Sequence, residues 1–152
     1  MALNIDELST ELFEYLKDVI ELSPENIRTV KTALSMIREM SPSDIPNILR
    51  KIERLIDVSQ DMAWINLAMK RKLHEMTREI KMKKDPQYVM LVKQGRPSSA
   101  AIEAEIRFTN KDMYDSENGI DVLNNVIEYF NKINESIEKY IWLLKDKLNS
   151  GK

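Results

Sequence analysis

The chain has no cysteine, one histidine, three glycines and five prolines in 152 residues. Without cysteine there is no disulfide framework, no thiolate zinc site and no thiol nucleophile. One histidine, His74, cannot supply the several imidazoles of a His-rich metal site. Gly95, Gly119 and Gly151 are too scattered to form a phosphate-cradling loop. No apolar run nears the roughly 18 residues needed to span a bilayer, and no secretory leader pattern opens the sequence. No membrane association and an intracellular setting are therefore expected. What is plentiful is charge, at 32% of residues, and hydrophobic side chains, at 43%, with a net charge of only -2. The length suits a single domain.

The hydrophobic spacing is helical throughout, with no sustained strand alternation. Leu8, Leu12, Leu16, Val19 and Ile20 share one face of a first helix, over residues 6–22. Ser23 and Pro24 match an N-cap and first helical position. A second short helix follows to about Met40, with Ile27, Val30, Leu34 and Ile37 inward. Ser41-Pro42-Ser43-Asp44 repeats the punctuation, and Pro46 marks the start of a long third helix. Ile48, Leu55, Met62, Met69 and Met76 recur every seven residues along it, with Ile52, Leu73 and Ile80 on the complementary seam. The bias of pre-proline residues away from helix places its end at Asp85-Pro86. Residues 86–98 are then a connector, broken at Gly95 and Pro97, and Ser98 or Ser99 caps a fourth helix. Gly119 suggests a kink there near Asn118. Two long helices joined by a short connector predict an all-α fold: an elongated antiparallel hairpin, with two short N-terminal helices over 1–43 and the hairpin over 44–152.

On the last helix, Leu123, Ile127, Phe130, Asn134, Ile137, Ile141 and Leu144 alternate by four and three. Such a seam suits a homo-oligomer, with Asn134 setting register if it meets its twin. Val126, Ile133 and Tyr140 widen the stripe toward either the N-terminal helices or another chain. Trp64 and Trp142 are read as packing residues, and the nine methionines mostly as seam fillers.

The near-neutral total hides segregation. Residues 70–96 hold nine bases against three acids, whereas residues 97–129 hold two bases against seven acids. The candidate nucleic-acid-binding set is Lys70, Arg71, Lys72, Arg78, Lys81, Lys84, Lys93 and Arg96. Glu79 with Lys83, and Lys72 with Glu75, have spacings that allow pairing along the helix. Lys70, Arg71, His74, Arg78 and Lys81 line a face without an acid, as phosphate binding through counterion release requires. Tyr88, and Trp64 with it, are candidates for stacking against bases of a single strand. The competing expectation is that Glu103, Glu105 and Asp112 of the next helix neutralise these bases. The protein would then be a non-catalytic helical interaction protein, such as a virion component, adaptor or defence inhibitor.

No residue set supports catalysis. Glu103 and Glu105 point to different sides of a helix, and the acids at 112, 115 and 117 lack the histidine of a helical di-metal motif. No serine has a histidine partner nearby in the sequence. No enzyme activity, cofactor or metal is expected.

The sequence resembles the UvsY-type recombination mediator proteins of tailed phages over roughly residues 44–150. Ala68-Met69-Lys70-Arg71-Lys72-Leu73, late in a long helix, is similar to the family's A-L-K-x-R-L segment, whose two bases fall on Lys70 and Lys72. The helix after the connector, with Ala101-Ile102-Glu103-Ala104-Glu105-Ile106, an acidic Tyr114-Asp115 region and Leu123-Asn124-Asn125-Val126-Ile127-Glu128-Tyr129-Phe130, suits the family's second half, followed by the basic, aromatic stretch 139–147. Residues 23–43 are an addition to that pattern, and Glu138-Lys139-Tyr140 replaces a near-terminal arginine motif. The resemblance implies a homo-oligomer that binds single-stranded DNA and helps a recombinase displace single-strand-binding protein. It would act in the cytoplasm of a host cell if phage-encoded. Helical geometry favours Lys70 and Arg78, and the resemblance favours Lys70 and Lys72.

Overall fold

The structure, a computed structural model, describes residues 5–96 and 98–150. Five helices follow one another: α1 (Ile5–Asp18), α2 (Pro24–Arg38), α3 (Ile45–Lys93), α4 (Ser99–Thr109) and α5 (Lys111–Ser150). The described residues contain no strand, and the two long helices expected from the sequence are α3 and α5. The side chain of Leu8, and Pro97 and Gly151, lie outside the described residues.

The chain forms two compact units whose borders cut across both long helices: Met1–Ala68 with Glu128–Lys152, and Met69–Ile127.

In the first unit the early half of α3 lies antiparallel to the late half of α5. Asn66 Nδ2 donates to Asn131 Oδ1 at 3.1 Å, Lys51 Nζ sits 5.0 Å from the Tyr140 ring centroid, and Lys147 Nζ donates to Pro42 O at 2.9 Å. The heptad series fills the core: Ile48, Leu55 and Met62 are all buried, joined by Leu16, Val30, Ala33 and Met36 from the short helices, while Met69, next in the series, is buried in the second unit. Ser23 caps α2, accepting from Asn26 N at 3.2 Å, with Pro24 at its first position. Helix α1 stops at Asp18, short of the expected 22, because Glu21 takes φ 58 and the chain turns there. Lys51 is the buried cation among the described residues of this unit; it bonds Glu39 Oε2 at 3.2 Å and Met40 O at 3.4 Å. Tyr140 bonds Ser41 Oγ at 3.0 Å and Glu39 O at 3.3 Å, so that part of the widened α5 stripe faces the segment after α2.

Tyr15 Oη in this unit is buried without a hydrogen-bond partner, and burial raises its pKa above the ordinary 10.0. An unpaired buried hydroxyl costs about 1–3 kcal/mol. Tyr15→Phe is therefore expected to leave stability unchanged or raise it by about 1 kcal/mol in urea unfolding. The raised pKa adds a pH signature. The folded state holds its phenol proton above pH 10.0, where the unfolded chain loses it. Tyr15's contribution is thus intact below that pH and is lost as pH rises through the folded value.

In the second unit, α3 runs on through Pro86 instead of ending before it. Proline there removes one backbone bond and crowds the preceding turn. Two features offset that cost. The Gln87 side chain donates to Lys83 O at 3.3 Å while accepting from Asn110 Nδ2 at 2.6 Å. The extra turns also bring Leu91 into a small core with Ile102, Ile106 and Met113, against which Ile80 and Tyr88 pack. Helix α3 then closes in a Schellman motif: Gly95 adopts φ 81, its N–H bonds Val92 O at 3.1 Å, and Arg96 N–H bonds Leu91 O at 3.3 Å.

Ser98 caps α4, accepting from Ala101 N at 3.2 Å. The expected fourth helix is interrupted at Asn110, and not at Asn118-Gly119. Asn110 leaves helical geometry at φ -127, ψ 82, and its amide donates to Ile106 O at 3.0 Å. Its own carbonyl accepts from Met113 N at 3.1 Å, starting α5. Gly119 stays helical. A Cβ there would stand 3.2 Å from Met76 Cε, so the glycine admits close approach of α3 to α5.

Candidate nucleic-acid interface

The candidate bases lie along α3 and just beyond it, all within the second unit. The inward side of this part of α3 carries Ile80, Tyr88 and Leu91, packed on the small core. Lys70, His74, Arg78 and Lys81 follow one another by four, four and three residues, so they share another side of the helix, and all are exposed. This row spans about 16 Å at 1.5 Å per residue. Arg71 is exposed beside it, whereas Lys72 is half-buried.

The carboxylates of α4 and α5 reach only part of the basic set. Lys84 Nζ lies 3.3 Å from Glu103 Oε1 and 3.8 Å from Glu117 Oε1, with a side chain only 22% exposed. Arg96 pairs with Glu105 at 2.9 Å. Arg107 of α4 takes the other oxygen of Glu117 at 3.1 Å. Two residues of the expected set are thus paired, Lys84 and Arg96, and they hold α4 against its neighbours. Lys70, Arg71, Lys72, Arg78, Lys81 and Lys93 enter no salt bridge among the described residues. The pairs anticipated along the helix, Glu79 with Lys83 and Lys72 with Glu75, are not formed either.

The aromatic candidates change as well. Tyr88 does not offer a free ring face. It packs on the small core and its hydroxyl lies 2.8 Å from Ser99 Oγ. Trp64 and Trp142, read as packing residues, are 72% and 68% exposed. Phe108, which the sequence reading passed over, is 90% exposed on α4 of the unit that carries the basic row. Its signal was available: it lies two residues past buried Ile106, which turns it away from the core on a helix.

The proposed oligomer seam is occupied by the protein itself. Leu123, Ile127, Phe130, Ile137 and Leu144 are buried within the single chain, and Asn134 and Ile141 are half-buried. The amide oxygens of Asn134 and Asn66 are buried without a hydrogen-bond partner. The four-and-three alternation marks an inward stripe, but inward here means the chain's own core.

No group of three His, Asp or Glu among the described residues is placed to hold a metal ion, and no helix among them is long and apolar enough to cross a membrane. Comparisons with protein families, with curated proteins and with solved structures find no match to this chain.

Proposed function

We propose that this protein binds single-stranded DNA through its phosphates, without catalysing a reaction, and serves as a recombination mediator that assists recombinase loading. One observation carries the binding reading. Lys70, Arg71, Arg78 and Lys81 are exposed along α3 and free of ion pairs with α4 and α5, whose carboxylates engage Lys84 and Arg96. Four unpaired cations in a row gain free energy from a polyanion by releasing its condensed counterions. The mediator role, with recombinase and single-strand-binding protein as partners, rests on the resemblance around Lys70 and Lys72. The binding step needs no nucleotide or metal, since the cations act as fixed charges that hold a strand.

Fluorescence anisotropy with a labelled single-stranded oligonucleotide tests this reading. About four phosphate contacts give a slope of roughly -3 for log K against log salt, or a loss of roughly 50-fold between 50 and 200 mM. Absence of binding at low salt would reject DNA as the ligand and favour an acidic protein partner for the same bases.

A further inference from the structure

Arg28, Lys31, Thr32 and Ser35 follow one another by three, one and three residues, so they share one side of α2. Arg54 of α3 joins them in lining a groove of about 280 Å³, together with Glu39 and the buried Met36. All of these residues belong to the first unit.

Arg28, Lys31 and Arg54 are exposed, and none enters a salt bridge among the described residues. The carboxylate of the lining, Glu39, is engaged by the buried Lys51 at 3.2 Å. Glu25 on α2 and Asp57 and Asp61 on α3 are close in sequence to the cations, but none of the three lines the groove. Lys31 Nζ stands 4.9 Å from the Phe13 ring centroid, a contact that positions the ammonium without neutralising it. The Thr32 hydroxyl is committed to Arg28 O at 3.0 Å, whereas the Ser35 hydroxyl makes no hydrogen bond among the described residues.

We propose that this groove is a phosphate-binding site, suited to a condensed phosphate such as pyrophosphate or the phosphate chain of a nucleotide. Three unpaired cations lining one groove repel one another, and an anion carrying several charges on one small group relieves that repulsion. The donors come from two helices: a guanidinium from each, with an ammonium and a free hydroxyl from α2. Donors on several sides match the tetrahedral oxygens of a phosphate, whereas a flat carboxylate uses one fork at a time. The phosphates of a nucleic-acid strand are the other source of the same chemistry. The groove contains none of the bases on the α3 row of the second unit, so the site does not rest on DNA binding there.

The test is calorimetric titration of the full chain with pyrophosphate at low salt. Saturable binding of one pyrophosphate per chain is expected, with a Kd on the order of 0.1 mM from a few charge-assisted hydrogen bonds. Arg28→Gln and Arg54→Gln should each weaken it by about tenfold. Arg50→Gln removes an exposed arginine one turn before Arg54 and outside the lining, and it should leave the affinity unchanged. Circular dichroism checks that each variant is folded, and the wild-type titration decides the matter if one is not. Oligonucleotide titrations of the two lining variants then identify the source. An unchanged salt slope assigns the groove to a free condensed phosphate, and a slope lowered by about 0.7 for each arginine assigns it to the phosphates of a strand. Pyrophosphate binding in a protein that takes up no oligonucleotide would leave this site standing and remove only the DNA reading. No saturable binding of pyrophosphate, or a loss in Arg50→Gln equal to that in Arg54→Gln, would overturn the proposal.

Discussion

Replacing Lys70 and Arg78 together by glutamate is expected to weaken binding of a single-stranded oligonucleotide by roughly 100-fold at low salt, while leaving helicity unchanged. Each lost phosphate contact lowers the salt slope by about 0.7. Each new carboxylate also repels the strand, so reversal exceeds the effect of alanine. Both side chains are exposed and free of ion pairs, and so their removal breaks nothing in the fold. Lys84→Ala is the informative contrast. Its ammonium lies between Glu103 and Glu117, and the expected result is lower stability of the second unit with little change in DNA affinity. If Lys84→Ala instead weakened binding as much as the double reversal, general positive charge would explain the affinity and the row on α3 would lose its special role. Anisotropy titration and thermal unfolding of the three proteins separate these outcomes.

Phe130→Ala is expected to destabilise the protein by about 3–5 kcal/mol, the usual cost of emptying a large buried aromatic site. For a chain of this length that corresponds to a fall in Tm of roughly 6–20 °C. Phe130 is completely buried within one chain. The effect should therefore be independent of protein concentration. An intermolecular seam would behave differently: the variant would change mass in solution and would unfold with a concentration-dependent midpoint. Trp142→Ala, on the same helix but 68% exposed, should fall within about 0.5 kcal/mol of the wild type.

The spacing of Ile48, Leu55, Met62 and Met69 was enough to read the core side of α3, because a heptad pattern reports burial without further context. Ser23 was legible as a cap for a similar reason, and Ser98 as one of two candidates beside Ser99, since capping chemistry is local. Passage of α3 through Pro86 was not local. It depends on Leu91 reaching Ile102 and Ile106, and on Gln87 bridging to Asn110. Nor did glycine or proline announce the interruption at Asn110, whose own amide supplies the bond that ends α4. The charges follow from these two features. Once α4 is placed by the turn at Gly95 and the break at Asn110, Glu103 and Glu105 meet Lys84 and Arg96 and leave Lys70 and Arg78 alone. The sequence showed where bases concentrate but could not say which of them the fold neutralises. Likewise the α5 stripe announced burial without naming its partner, and the two tryptophans showed that a large ring need not be packed.

Lysine-acetylation footprinting of the intact protein, with and without a single-stranded oligonucleotide at low salt, tests the central claim most directly. The account predicts that Lys70 and Lys81 lose reactivity when the strand is added, while Lys84, already held by Glu103 and Glu117, changes little. Unaltered reactivity of Lys70 and Lys81 under conditions where the oligonucleotide is bound would contradict it.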